Sequence, residues 1–167
     1  SSSNTQDGGN TSLEIAGGSV TGNVINQTTA GDLTVAGAAV TGNVKNNSTG
    51  AVVISDGTNI SGSVTSSNNG NVAILDSTVT GTAPSDATVI NSSVNGQQQT
   101  GDNYVALVNG KGYNTLQDAV NAVTTTEPTT ITLLKDTAGA GVVVNGPVKR
   151  NLTFDLGGHT YTITSGE

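Results

Sequence analysis

The sequence predicts an all-β fold: a right-handed parallel β-helix, or β-solenoid, with about 20 residues per coil and one short capping helix. Three observations carry that prediction. An aliphatic motif returns at a nearly fixed step. The composition is too poor in large side chains to fill a wide core. Helical spacing of apolar residues occurs in only one stretch.

Of the 167 residues, 33% are hydrophobic and 2% aromatic, and Met, Trp and Cys are absent. Such a chain can fill only a narrow interior. Disorder is disfavoured, because charged residues are just 10% while Val, Ile and Thr are abundant. The 23 glycines, with many Asn, Ser and Thr, suit short strands separated by tight bends. The net charge is −7, and Lys45, Lys111, Lys135, Lys149 and Arg150 are scattered, so nucleic acid, which needs clustered cations, is not an expected partner. No apolar run is long enough to span a bilayer, so membrane insertion is not expected either. The polar start Ser1-Ser2-Ser3-Asn4, with no apolar core and no initiator Met, is expected of a mature or excised piece of a longer precursor. Lack of Cys suits the cytosol and a bacterial exterior alike; the repeat architecture favours an extracellular or cell-surface location.

After a polar segment at 1–11, the solenoid is expected over 12–96. Ser19-Val20-Thr21-Gly22-Asn23-Val24 returns as Ala39-Val40-Thr41-Gly42-Asn43-Val44 and as Asn59-Ile60-Ser61-Gly62-Ser63-Val64. Looser copies are Thr78-Val79-Thr80-Gly81-Thr82-Ala83 and a last echo, Ser93-Val94-Asn95-Gly96. Upstream of each lies an alternating pair: Leu13 and Ile15, Leu33 and Val35, Val52 and Ile54, Val72 and Ile74. Alternation places both members on one strand face. Each coil therefore offers three inward patches: the pair, the aliphatic before the glycine, and the aliphatic two residues after it. Stacked coils about 4.8 Å apart would hydrogen-bond to one another and not within themselves. Gly22, Gly42, Gly62 and Gly81 are expected at a corner that needs either positive φ or close backbone approach. Asn46-Asn47-Ser48-Thr49-Gly50 and Ser66-Ser67-Asn68-Asn69-Gly70 read as surface, either as side-chain ladders or as solvated loops.

The repeat fails over 97–103, which reads as a linker or loop. Beyond it, 104–167 is expected to hold a cap and further coils. Tyr104–Val108 reads as a strand, Asn109-Gly110 as a hairpin turn, and Asn114 or Thr115 as the N-cap of a helix within 115–123. Leu116, Ala119, Val120 and Val123 fall on one face of that helix. Strands follow at Thr130–Leu134, Val142–Val144, Leu152–Leu156 and Thr160–Ile163, separated by Gly-rich or Asn145-Gly146-Pro147 turns.

Tyr113-Asn114-Thr115-Leu116-Gln117-Asp118-Ala119-Val120, then Ile131-Thr132-Leu133-Leu134-Lys135-Asp136, then Asn151-Leu152-Thr153-Phe154-Asp155-Leu156-Gly157-Gly158-His159-Thr160, resembles the opening of pectate-lyase-like β-helix domains. It is especially similar to those of large secreted surface proteins and adhesins of Gram-positive gut bacteria. The resemblance covers about 104–164. It implies that the helix caps the hydrophobic end of a right-handed β-helix and that the strands after it form the first coils. The chain departs from the family by ending after two coils, so this second β-helix looks truncated or completed by something else. The superfamily includes lyases, hydrolases, tailspikes and adhesins, so it fixes no activity.

The chemistry expected of an enzyme on this fold is clustered carboxylates, often with calcium and a Lys or Arg base. Only Asp56 and Asp76 recur at coil spacing; stacked, they form a weak cation site or simply solvated turns. His159 stands alone and reads as a turn residue. Lys149-Arg150 reads as a solvated turn beside the alternative of an anion site, and Gly139-Ala140-Gly141 lacks the Lys and helix of a phosphate loop. Asn26-Gln27-Thr28 and Asn151-Leu152-Thr153 match the glycosylation triplet, as chance allows in this composition. Lys45 or Lys135 could supply an amine for an isopeptide crosslink to Asn, with nothing in the spacing to select either. A flat ice-binding face is not expected, because Thr21, Thr41 and Thr80 make a broken row. No catalytic, cofactor or metal residues are assigned. The expected function is a structural or adhesive module, a rigid spacer that contacts glycans or a host surface or associates with itself through its ends. The alternative is a carbohydrate-binding or polysaccharide-cleaving fragment.

Overall fold

A computed structural model describes residues 2–4, 11–146 and 149–166. The chain divides into two compact units, Ser1–Gly101 and Asp102–Glu167.

The first unit is a parallel β-solenoid with three sheets. One sheet stacks Leu13–Ala16, Leu33–Ala36, Val52–Ser55, Val72–Leu75 and Thr88–Ile90. The second stacks Ser19–Val20, Ala39–Val40, Asn59–Ile60, Thr78–Val79 and Ser92–Val94. The third stacks Ser2–Asn4, Val24–Asn26, Val44–Asn46 and Val64–Ser66. Each strand pairs with its counterpart one coil away, so the backbone ladder runs between coils, as the repeat predicts. Val20 lies against Val40, Val40 against Ile60, Ile60 against Val79 and Val79 against Val94. The three inward patches are those expected: in one coil Leu33, Val35, Val40 and Val44 are all at most 1% exposed. Repeated along the stack, they form a single thin hydrophobic column.

The glycine at the motif's corner is required chiefly by close approach. Gly42 N–H donates to Gly22 O, Gly62 N–H to Gly42 O and Gly81 N–H to Gly62 O, each at 2.9 Å. A Cβ on Gly62 would lie 2.5 Å from Gly42 O. Only Gly22 of this column has positive φ, at 115°.

A different corner takes the left-handed backbone. Gly17, Gly37, Asp56, Asp76 and Asn91 occupy it in successive coils with φ of 71°, 63°, 59°, 49° and 45°. Glycine, Asp and Asn are the residues that adopt this region at least strain, which explains a column whose members differ in type.

The fourth coil is short. Ile74 pairs with Val89 and Val79 with Val94, a step of 15 residues, because the third sheet stops. Val64 N–H donates to Thr82 O, so in continuing register Pro84 falls beside Thr65. A proline has no N–H for the ladder, and the chain instead turns, Ala87 N–H donating to Pro84 O.

Of the last echo, Ser93-Val94 stacks in register on Thr78-Val79, but Asn95-Gly96 does not repeat the coil corner. Both residues have positive φ, 52° and 77°, the signature of a type I′ hairpin turn. The chain reverses there, and Gln97–Gln99 pairs antiparallel with Ser92–Val94. The segment read as linker or loop thus begins with a strand that covers the end of the second sheet. At the other end, the polar start contributes the strand Ser2–Asn4, parallel to Val24–Asn26; residues 1 and 5–10 of that segment lie outside the described residues.

The second unit opens with the expected hairpin, Ala106–Val108 and Lys111–Tyr113, around Asn109 and Gly110 at φ 49° and 73°. The helix spans Leu116–Ala122. Thr115 is its N-cap, its Oγ1 accepting the Asp118 N–H at 3.0 Å. Leu116, Ala119, Val120 and Val123 are buried with Val105, Ala106, Val108 and Ile131, so the helix closes one end of this unit's core. Pro128–Leu133 pairs antiparallel with Ala106–Val108 and parallel with Asn151–Asp155. Thr137–Ala140 pairs parallel with Tyr161–Ser165.

One expected strand is displaced. It forms at Thr137–Ala140, not at Val142–Val144. Small residues there admit Tyr161, whose hydroxyl donates to Ala140 O at 2.7 Å and would collide with any Cβ on Gly139. Val143 is instead held by the helix: its N–H donates to Gln117 Oε1 at 2.8 Å and its carbonyl accepts from Gln117 Nε2 at 2.9 Å. Pro147 of the expected turn lies outside the described residues.

Candidate functional site

Of the two Asn- and Ser-rich bends expected at the surface, 66–70 lies there, with Ser67, Asn68 and Asn69 exposed, whereas 46–50 and its counterpart one coil below send side chains inward. Asn26, Asn46, Thr28 and Ser48 are all at most 2% exposed. Asn26 Nδ2 donates to Gly31 O and to Asn46 Oδ1, both at 2.9 Å, while its Oδ1 accepts from the Thr28 hydroxyl. Asn46 Nδ2 donates to Ser48 O and Gly50 O at 3.1 Å. Ser48 Oγ donates to Gly31 O of the coil below and accepts the Gly50 N–H. For Asn46 and Ser48 the surface reading is corrected on physical grounds. Stacked bends present carbonyls that face inward without strand partners, and buried polar groups must be paired. An outer ladder runs beside it: Asn23 Oδ1 accepts from Asn43 N–H, Asn43 Oδ1 from Ser63 N–H, and Ser63 Oγ from Thr82 N–H. Both ladders tie their side chains into hydrogen bonds between successive coils.

A polar groove of about 280 Å³ lies in this unit between the left-handed corner and the terminal hairpin, and a second of about 220 Å³ lies beside Thr82, Pro84, Asn95 and Gln97. Asp76, Thr78, Asn91, Ser93 and Gln98 line the first, with no Lys or Arg. Asp56 and Asp76 do stack as the spacing suggested, but Asp76 Oδ1 is already engaged by Asn91 Nδ2 at 2.7 Å. Among the described residues, no three His, Cys, Asp or Glu side chains gather in a metal-holding group.

The remaining candidates are dispersed. His159 sits in a turn, its N–H donating to Leu156 O and its Nδ1 3.6 Å from Asp136 Oδ1. Lys149 and Arg150 lead into Asn151–Asp155. Lys135 Nζ donates to the Asp102 carbonyl, and Lys45 is exposed on its strand, so neither has the buried setting of a crosslinking amine. Asn26 is buried and cannot accept a glycan, whereas Asn151 is exposed.

An apolar surface went unnoticed in the sequence. Val143, Val144, Phe154, Leu156 and Ile163 are 39–59% exposed, all in the last part of the second unit. Phe154 and Ile163 lie in Asn151–Asp155 and Tyr161–Ser165, the terminal strands of their sheets.

No helix among the described residues is long and apolar enough to cross a membrane. No protein-family model matches the chain, and neither the curated proteins nor the solved structures contain a significant match.

Proposed function

We propose that this chain is a structural module of an extracellular bacterial surface protein, a β-solenoid spacer that associates head to tail and catalyses no reaction. The observation that carries the reading is the double ladder. The interior is aliphatic or hydrogen-bonded to itself, and its polar side chains serve coil stacking. Rigidity follows, since each coil is tied to its neighbours by backbone and side-chain bonds at the same register. The resemblance of 104–164 to pectate-lyase-like domains of secreted surface proteins supports the location. Solenoid ends, which present strand edges, support self-association. Electron microscopy of the purified chain, with immunogold labelling of intact producing cells, tests both halves. Filaments and surface label are expected. Isolated particles, or label only after permeabilisation, contradict the proposal.

A second reading, carbohydrate binding, is favoured by the groove beside Asp76 and Asn91. Its lining of amides, hydroxyls and one carboxylate, with no cation, suits a neutral glycan. Retention of the chain on a neutral polysaccharide, lost on Asn91→Ala, is the result that would promote it.

A further inference from the structure

We infer that Asn95 is a site of spontaneous deamidation, and that the reaction releases the strand Gln97–Gln99 from the edge it covers. Three Asn-Gly pairs share a preceding valine: Val94-Asn95-Gly96, Val108-Asn109-Gly110 and Val144-Asn145-Gly146. Their local sequences are nearly the same, so differences in reactivity between them are set by the fold. Asn95-Gly96 and Asn109-Gly110 also share a backbone. Both are hairpin turns, with φ of 52° and 77° in one and 49° and 73° in the other. Burial separates them: Gly110 is buried, whereas Asn95 and Gly96 are both exposed. A Cβ on Gly96 would meet nothing within 4 Å, and Asn95 borders the groove of about 220 Å³ beside Thr82 and Pro84. The Gly96 amide is thus open to water and base, and the turn has room to adjust. Asn145 and Gly146 are exposed as well and lie outside every strand and helix, which makes them an internal reference for an unprotected pair.

The step is an internal displacement. A base removes the Gly96 amide proton, and the nitrogen attacks Cγ of Asn95. The N–Cγ bond forms, the Cγ–Nδ2 bond breaks and ammonia leaves, giving a cyclic imide. Water then opens the ring at either carbonyl, to Asp or to isoaspartate. The net change is water consumed, ammonia released and a neutral amide replaced by a carboxylate. In isoaspartate the β-carbon enters the main chain, and a tight hairpin turn of this type cannot absorb the added length. Asn95 N–H donates to Val79 O and Ser93 N–H to Ser77 O, so the backbone groups of Val94 and Ser92 face Gln97 and Gln99. Lengthening the turn shifts that register. Gln97–Gln99 then comes away while the coils beneath it stay paired.

The test incubates the whole chain at mildly alkaline pH, folded and in denaturant, and follows each pair by peptide mapping with mass spectrometry. In denaturant the three pairs are expected to convert at similar rates. In the folded chain Asn95 and Asn145 are expected to stay within about threefold of that rate, and Asn109, which needs local opening, to fall at least about tenfold below it. Amide exchange read by NMR is expected to show Gln97 and Gln99 losing protection as Asn95 converts. An Asn95→Gly chain, which suits the turn and has no side-chain amide to lose, is expected to keep that protection through the same incubation. Equal rates at Asn95 and Asn109 in the folded chain, fast or slow, overturn the site. Conversion at Asn95 with Gln97 and Gln99 still protected overturns the release.

Discussion

Asn26 donates its side-chain amide to Oδ1 of Asn46 at 2.9 Å, one coil away, and neither residue is exposed to solvent. This contact occurs at a 20-residue step, the same as the backbone register of Val24 with Val44. Side chain and backbone thus specify one stacking distance. A slip of the coils would break both at once, which ties polar residues in the interior to the fold's uniqueness.

Asn46→Leu removes the acceptor used by Asn26 and the donor used by Ser48 O and Gly50 O. Leaving buried polar groups unpaired destabilises the protein by about 3 kcal/mol. Lys45→Ala, next in the chain and exposed, stays within about 0.5 kcal/mol of wild type. Denaturant titration of both variants checks the contrast.

Gly62→Ala places a Cβ 2.5 Å from Gly42 O. The coils must part there, weakening the ladder on both sides, for a loss of about 2–3 kcal/mol. Ser61→Ala, exposed beside it, changes little. Thermal unfolding of the pair tests whether close approach is what the column demands.

Asp76 sits at φ 49° because the corner needs a left-handed residue. Asp76→Gly is expected to fold with stability within about 1 kcal/mol of wild type, whereas Asp76→Val loses about 1–2 kcal/mol through backbone strain. Millimolar calcium is expected to leave the Tm of the wild type unchanged. A calcium-dependent rise abolished in Asp76→Gly would restore the cation-site reading.

Gln117→Ala deletes both hydrogen bonds that hold Val143. The Val143 amide is expected to exchange with solvent at least tenfold faster, an estimate from about 1.4 kcal/mol per tenfold, while the helix amides keep their protection. Hydrogen exchange read by NMR resolves the two.

The repeat was legible because an aliphatic column has a simple requirement. Val20, Val40, Ile60 and Val79 must each be apolar and in step, and the sequence meets both conditions in plain view. The helix was legible for a similar reason, since Thr115 and the Leu116–Val123 face are local signals. Asn26 and Asn46 were not, because their burial depends on inward carbonyls that exist only once bends are stacked. The left-handed column was hidden by its change from Gly37 to Asp56 to Asn91, three residue types with one backbone property. The last echo held through Val94 and failed at Asn95-Gly96; the step of 15 before it marked the change, and the two positive φ values show a hairpin turn. Gln97–Gln99, fully polar, carries no strand pattern and pairs only because that hairpin delivers it to a free edge.

The central claim is that one coil is an exchangeable unit of interior column and ladder. Deleting Val24–Asn43 joins Asn23 to Val44, the counterpart of Val24 one coil on, and keeps every remaining column in register. Deleting only Val24–Leu33 shifts every later column by half a coil. Equilibrium denaturation followed by circular dichroism is the direct measurement. The account predicts a cooperative first-unit transition with the wild-type midpoint for the whole-coil deletion, and for the half-coil deletion a lowered first-unit midpoint with lost β signal beside an unchanged transition of the second unit, which has its own core. Equal behaviour of the two deletions, folded or unfolded, contradicts it.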